Sequence, residues 1–308
     1  MGEIQVDFWN AGQGDASSIL KPDGSMDIID VGPSDSSQLC DFLQSFPHIV
    51  DKLILTHNDY DHIGALETLL NIPDIKIKEA CFLIDRQDLF NNSVFKMLFE
   101  KAESKVLITK KDGEEFLIDR IGDYELILKY PSSQEISKAK NPNDKSGIIS
   151  LCHNGINLIT WCGDNKISTV RLHVNPQMSM LFGPHHGAPQ DSQNKSFSKN
   201  VSSLSPKQCF LSFGYNNQYR HPSNLYIQEL NNVECRIICM NRHKCCKATN
   251  IKTVLNGDGF YFLQPPRNGK LLCHGHVRLS VNGDEVCDEL EAEYTAAKGK
   301  ILNRLCKK

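Results

Sequence analysis

His57, Asp59, Asp61 and His62 all fall within the short segment T-H-N-D-Y-D-H. Two imidazoles and two carboxylates packed this closely conflict in a bare loop, because neighbouring like charges force one group to take up a proton. A bound cation removes the conflict, so the segment reads as a metal-binding loop. A solvated turn with Asp59 capping the next helix explains one carboxylate and leaves the pair of histidines without a purpose. One loop supplies only part of the shell around two ions. Asp164 closes the run N-L-I-T-W-C-G-D, where an apolar strand delivers a carboxylate suited to bridging two cations, with capping of a following helix as its other possible role. His185 and His186 stand in P-H-H-G after the apolar run M-S-M-L-F, again at the end of a strand.

The elements that must position these side chains follow from the pattern around them. I-Q-V-D-F-W, S-S-I-L and M-D-I-I-D-V-G, punctuated by G-Q-G-D and P-D-G, predict three strands in a meander. A helix is expected around residues 38–46, the strand K-L-I-L-T runs into His57, and one helix is expected from His62 to Leu70. Further on come the strand A-C-F-L-I, a helix from Asp88 to Glu103, and the strands K-V-L-I-T and E-L-I-L-K-Y. A polar loop over Ser132 to Lys145 then leads to a hairpin turning at Asn154-Gly155. His153, at that hairpin tip, is expected to face solvent. With 308 residues, 40% of them hydrophobic, the chain can bury a substantial core. Two sheets that share one core, each covered by helices on its outer face, absorb this order as a four-layer α/β/β/α sandwich. Near residue 232 the composition shifts toward Cys, His, Lys and Asn. This divides the chain into a main domain, 1–231, and a Cys/His-rich extension, 232–308, which packs on the main domain or forms a small β-subdomain.

T-H-N-D-Y-D-H-I-G resembles the metal motif of the metallo-β-lactamase superfamily. Asp59, where most members have His, is typical of the C-terminal, nuclease-like domain of ComEC competence proteins. The same branch is similar at Gly12 to Asp15 (G-Q-G-D), Ile29 to Gly32 (I-D-x-G), Gly163-Asp164, Pro184 to Gly187, and Ser212 to Pro222 (S-x-G-x-N-N-x-Y-x-H-P). These motifs run in order over residues 1 to about 225. The resemblance implies a dinuclear metallohydrolase holding two divalent ions, Zn²⁺ or Mn²⁺. His57 and Asp59 would hold one ion and Asp61, His62 and His186 the other, with Asp164 bridging. His185 would sit behind the ligands or serve the leaving group, and His221 would ligate or meet the substrate. For the first ion no third histidine is evident, and Asn143 and Asp144 are the candidates. In the implied chemistry a metal-activated hydroxide, oriented by Asp61 and Asp164, attacks a phosphodiester of DNA or RNA, and His185 or His221 protonates the departing oxygen. The carboxylate at Asp59 hardens its site and shifts preference from Zn²⁺ toward Mn²⁺. The competing readings are a hydrolase of a small phosphoester or cyclic nucleotide, and a catalytically silent metal-binding module.

A formal charge of −3 and a pI near 6.4 exclude a global basic footprint, so nucleic acid must be met by a local patch. Lys110, Lys111, Lys138, Lys140, Lys195 and Lys199 are the candidates, although scattered lysines are usually solvated surface. The absence of an export signal and of a long apolar run predicts a soluble, cytoplasmic protein with no membrane partner and with reduced cysteines. In the last quarter Cys239, Cys246, Cys273 and His276 could hold an additional structural Zn²⁺, against a reading of the same cysteines as small hydrophobes. The stretch from Asp288 to Leu305 reads as an amphipathic helix, making the extension a place where a protein partner could dock.

Overall fold

In I-Q-V-D-F the alternation of side chains along an extended chain puts Ile4, Val6 and Phe8 on one face and Gln5 and Asp7 on the other. The computed structural model describes residues 3–33, 38–45, 49–83, 93–108, 111–139, 141–176, 178–188, 196–214, 218–240 and 276–288. It shows that strand as β1 (Ile4–Phe8), antiparallel to β2 (Ala16–Leu20), which pairs with β3 (Met26–Val31). β4 (Ile49–Leu55), β5 (Lys76–Phe82) and β6 (Ala102–Leu107) then continue the sheet in parallel. β14 (Val277–Asn282) and β15 (Glu285–Asp288) extend it on the far side of β1. The second sheet runs from β7 (Phe116–Ile121) through β8 (Tyr124–Tyr130), β9 (Ile148–His153) and β10 (Ile156–Trp161) in antiparallel pairs. It continues in parallel with β11 (Met178–Phe182), β12 (Gln208–Leu211) and β13 (Arg236–Cys239).

The apolar residues separate into three clusters that define the layers. The central one takes Val6, Phe8, Ile54 and Leu279 from the first sheet and Leu126, Trp161, Phe182 and Phe210 from the second. Phe8 stacks on Phe182 with ring centroids 4.7 Å apart, so the sheets meet directly. A second cluster joins the outer face of the first sheet to α1 (Gln38–Ser45), α3 (Leu66–Leu70) and α4 (Ser93–Lys101). A third joins the second sheet to α6 (Ile167–His173), α7 (Phe197–Leu204) and α8 (Asn224–Asn232). The chain is thus an α/β/β/α sandwich. Among the described residues, no helix is long and apolar enough to cross a membrane.

Several local expectations differ from the structure. The helix expected over residues 62–70 is two pieces, α2 (Tyr60–Ile63) and α3, broken at Gly64-Ala65. The backbone there is diverted to β3: Gly32 N donates to His62 O at 3.1 Å and Ala65 N to Gly32 O at 2.8 Å. Helix α4 ends at Lys101, and Ala102 and Glu103 already belong to β6; residues 84–92, part of the expected helix, lie outside the described set. The polar loop contains α5 (Ser133–Lys138), opened by a capping box in which Ser132 and Glu135 satisfy each other's backbone, then a 3₁₀ turn over Pro142–Lys145. His153 is half-buried rather than solvent-facing, with Nδ1 2.6 Å from Asp284 of the β14–β15 turn and its ring beside Tyr124.

At the rim opposite the metal-binding loop, Lys21 crosses between the sheets. Its Nζ lies 2.8 Å from Asp27, 2.6 Å from Asp51 and 2.6 Å from Asp119, the last on β7 of the second sheet. These three carboxylates are close enough to hold a cation, and the Lys21 ammonium is that cation. Lys78 also pairs with Asp51 at 2.9 Å and Lys52 lies 3.9 Å from Asp119, whereas the most buried of the three acids, Asp27, is pushed up to about 8 by burial.

Of the segment after residue 232, the described parts are strands of both sheets. His276 donates from Nε2 to Asp7 Oδ1 at 2.8 Å and stacks on Trp9 with centroids 4.1 Å apart. Arg278 adds two bonds to the same buried carboxylate at 2.7 and 3.0 Å. Cys239 ends β13 partly exposed, while Cys246 and Cys273 lie outside the described residues, as does the stretch 289–308. Cys81, Cys152, Cys162 and Cys209 are buried in or just after strands.

Candidate metal centre

The carboxyl ends of β4, β10, β11 and β12 reach one rim of the sandwich, where the loops that follow them converge; such strand ends are where open α/β sheets place ligands. β4 delivers Thr56 and His57, β10 delivers Gly163 and Asp164, and β11 delivers His185 and His186. The loop after β12 delivers His221.

Two groups of ligand atoms form there. His57, Asp59 and Asp164 offer atoms within 4.8 Å of one another, and so do Asp61, His62 and His186. Asp164 lies between the groups. Its Oδ2 is 3.6 Å from His57 Nε2, and its Oδ1 is 3.3 Å from His62 Nε2 and 3.6 Å from His186 Nε2. Asp61 Oδ2 is 3.3 Å from His186 Nε2. His185 Nε2 stands further off, 3.8 Å from Asp164, and His221 packs against both neighbouring rings, 5.4 Å from that of His185 and 5.9 Å from that of His186.

Each inward nitrogen is set by what holds the other side of its ring. Thr56 Oγ1 gives its hydrogen to Asp30 Oδ2 at 2.6 Å and accepts from His57 Nδ1 at 3.0 Å. The same Asp30 oxygen takes His62 Nδ1 at 2.8 Å, and Asp15 Oδ1 lies 3.3 Å from His186 Nδ1. With Nδ1 of His57 and His62 hydrogen-bonded from behind and Nδ1 of His186 turned toward Asp15, Nε2 of all three rings faces the cluster, the arrangement by which outer partners orient metal ligands. Asp30 is close to His57 and His62 but on their Nδ1 side, so it supports the site rather than joining it.

Asp15 and Asp30 come from the G-Q-G-D and I-D-x-G segments, whose roles the sequence left open. Their backbone also clamps the loop: Asp15 N donates to Asp61 O at 3.1 Å. Gly14 is required there because a Cβ would run into the Asp61 carbonyl and come within 2.6 Å of Pro33 Cδ. From the other sheet, Ser212 Oγ bonds Gly14 O and Gln13 Oε1 accepts from Gly214 N at 2.9 Å. Asn143, not Asp144, reaches the centre, with Nδ2 3.3 Å from Asp164 and 3.2 Å from His185. Asp144 pairs instead with Lys166 at 3.0 Å. Positive φ angles at Asp30 (54°), His185 (44°), His186 (52°) and Arg220 (64°) gather around the same rim, the backbone strain that functional sites retain.

Burial disfavours charge on every group here, yet the carboxylates and imidazoles compensate one another. Burial would raise Asp61, but His186 and His62 bring it down to about 2; Asp164, amid His62, His57 and His186, is held well below the usual carboxylate range. Burial would lower His62 and His186, but Asp164 and Asp30 raise the first and Asp15 and Asp61 the second, both well above the ordinary imidazole value. His185 is lowered by burial and His221 is pushed down to about 3, by burial and then by its neighbours His186 and His185. Nε2 of His57, both ring nitrogens of His186 and Oδ1 of Asp15 are buried without a hydrogen bond within the described protein, which polar atoms in a finished interior rarely are. Inward-facing imidazole nitrogens around a shared carboxylate fit a divalent metal centre, more oxygen-rich on the side of His57, Asp59 and Asp164.

The pattern of the Metallo-beta-lactamase superfamily matches residues 11–80. The hydroxyacylglutathione hydrolase of Psychromonas ingrahamii is 38% identical over 77 residues, 24% of this chain and 30% of that protein. ComE operon protein 3 of Bacillus subtilis is 27% identical over 195 residues, 61% of this chain and 23% of that protein. The chain thus spans less than a third of either curated relative. Among solved structures, the metallo-beta-lactamase fold protein YhfI of Bacillus subtilis superposes with a TM-score of 0.50 at 9% identity, covering 77% of this chain and 96% of that one. The architecture is the metallo-β-lactamase fold.

Proposed function

We propose that this chain is a metal-dependent hydrolase, a phosphodiesterase of nuclease type acting on DNA or RNA. The observation that carries the reading is the convergence of His57, His62 and His186 through Nε2 on the shared carboxylate of Asp164, with Asp59 and Asp61 completing two adjacent ion sites. Divalent cations held there would supply a water of lowered pKa and offset the negative charge that builds on a phosphoryl group. The protein's part is to place and protonate. Asp61 and Asp164 accept hydrogen bonds from the attacking water and fix its line of approach. His185, the more exposed of the outlying imidazoles, hands a proton to the departing oxygen, and His221 braces its ring. His185 is neutral in the free site, and an incoming phosphodiester anion draws its pKa upward to where proton transfer at neutral pH works. Asp59, a carboxylate grouped with His57 and Asp164, supports a preference for Mn²⁺ over Zn²⁺ at the first position. The motif resemblance to the nuclease-like domain of ComEC competence proteins, carried by Asp59 and the ordered segments from Gly12 to Pro222, supports the choice of a polymeric phosphodiester over a small ester.

The test is hydrolysis by purified protein loaded with Mn²⁺ or Zn²⁺, offered single- and double-stranded DNA, RNA and a chromogenic phosphodiester. Metal-dependent cleavage of polynucleotide is expected, lost in Asp61→Asn and Asp164→Asn. Cleavage confined to the chromogenic ester removes the nuclease reading, and stoichiometric metal without turnover removes the enzyme.

A further inference from the structure

Among the described residues, the large aromatic side chains left exposed are Tyr60 and Tyr219, at 61% and 56%. Both belong to the segments that build the centre. Tyr60 stands between Asp59 and Asp61, and its ring edge lies over Gly64, where a Cβ would approach Cε2 to 2.8 Å. Tyr219 lies with its ring centroid 5.7 Å from that of His221, which in turn touches the His185 and His186 rings. The exposed Arg220 between Tyr219 and His221 is held at φ 64°, a conformation a long side chain does not adopt without a constraint. Scattered exposed aromatics need no explanation. Here Tyr60 opens helix α2 between two ligand carboxylates, and Tyr219 stands in the loop after β12 against His221 at the rim of the same site.

We infer that Tyr60 and Tyr219 are stacking platforms for nucleobases, so that the substrate is a polynucleotide with unpaired bases. The inference deepens the phosphodiesterase reading and rests on it. A base buried in a duplex has both faces covered, whereas an unpaired base offers a π-face to a tyrosine ring, whatever its identity. The charge of the molecule points the same way. With a net charge of −3 the surface offers little general attraction for a phosphate backbone, and stacking supplies affinity that does not depend on it. Arg220 adds one cation beside the platform. The sugar is left to the experiment, since DNA and RNA present the same base faces.

Binding is measured by fluorescence anisotropy with the whole chain loaded with Mn²⁺, on probes whose phosphorothioate linkages resist cleavage. The probes are labelled single-stranded oligonucleotides of DNA and of RNA, an abasic strand of equal length and charge, and the matching duplex. The base-bearing single strand is expected to bind about five- to a hundredfold more tightly than the abasic strand, the range a base–aromatic stack contributes. Tyr60→Ala and Tyr219→Ala each reduce that ratio, and Tyr60→Phe and Tyr219→Phe retain it, because the ring and not the hydroxyl does the stacking. Equal affinity for base-bearing and abasic strands, tighter binding of duplex, alanine variants that keep the ratio, or no binding of any probe would each overturn the inference. Cleavage by the metal-loaded enzyme is scored separately. Base-dependent binding without cleavage keeps the platforms and removes the hydrolase, and cleavage without base preference does the reverse.

Discussion

At Asp30 a single carboxylate orients two rings at once, His62 directly and His57 through Thr56, while accepting the Thr56 backbone N–H at 2.8 Å as well. Replacing it with alanine leaves both imidazoles free to turn, and divalent-metal affinity is expected to fall about 10–100-fold, measured by competition with a chelating dye. Asp59 tests the other side of the ligand set: Asp59→His is expected to shift the preference of the first site from Mn²⁺ toward Zn²⁺, read as the metal ratio bound from an equimolar mixture. Proton competition gives a third outcome. His62 and His186 have raised pKa values in the free site and must lose protons to ligate, so metal binding releases protons and its affinity drops as pH falls. Calorimetry in buffers of different ionisation enthalpy detects the release; binding without it contradicts the assignment. The residues most legible in the sequence were those packed side by side, since T-H-N-D-Y-D-H shows its density without any fold. Asp15 and Asp30 were visible only as motifs, because their partners His186 and His62 lie far along the chain. Asn143 and Asp144 could not be told apart until the 3₁₀ turn aimed one at Asp164 and gave the other to Lys166.

Among the elements, the strands were easier to read than the joints between them. Apolar runs such as K-L-I-L announce a buried strand by composition alone. The break between α2 and α3 is different, because it arises from hydrogen bonds to Gly32, on another element, which no local pattern records. The capping box at Ser132 was local and readable in S-S-Q-E, and the polar character of the surrounding residues hid it. Lys21 shows how such a joint contributes to stability. It is buried where it ties β2 to Asp51 of β4 and Asp119 of β7, and Lys21→Met takes the ammonium from buried Asp27 while Asp51 keeps Lys78 and Asp119 the more distant Lys52. The loss is expected to be roughly 3–5 kcal/mol in urea unfolding, as when one partner of a buried ion pair is removed. For Asp27 the sign is that of an acid raised on folding: the native state holds a proton the unfolded chain has lost, so its contribution weakens as pH climbs from the ordinary carboxylate value toward about 8. The Lys21→Met variant is therefore expected to lose more stability at pH 9 than at pH 5; equal losses contradict the account.

On the scale of the whole molecule, the sandwich was legible because its alternation of strands and helices admits few layered solutions. The attachment of the C-terminal strands was not, since pairing of β14 with β1 joins residues with no pattern in common. The Asp7 carboxylate is fully buried, and burial alone would raise it, but His276 and Arg278 hold it below its usual value. A lowered acid contributes stability above its unfolded pKa and loses it as pH falls through the folded one. Arg278→Met is expected to destabilise the fold by about 3 kcal/mol at neutral pH, measured by thermal or urea unfolding, with the deficit shrinking in acid. The partners of Asp7 lie 269 and 271 residues away along the chain. At typical elongation rates a nascent chain spends on the order of tens of seconds with the outer edge of β1 unpaired and Asp7 lacking its counter-ions. High contact order of this kind slows folding, and an open strand edge invites pairing between chains. Soluble yield during expression should therefore rise when synthesis is assisted by chaperones that shield nascent strands.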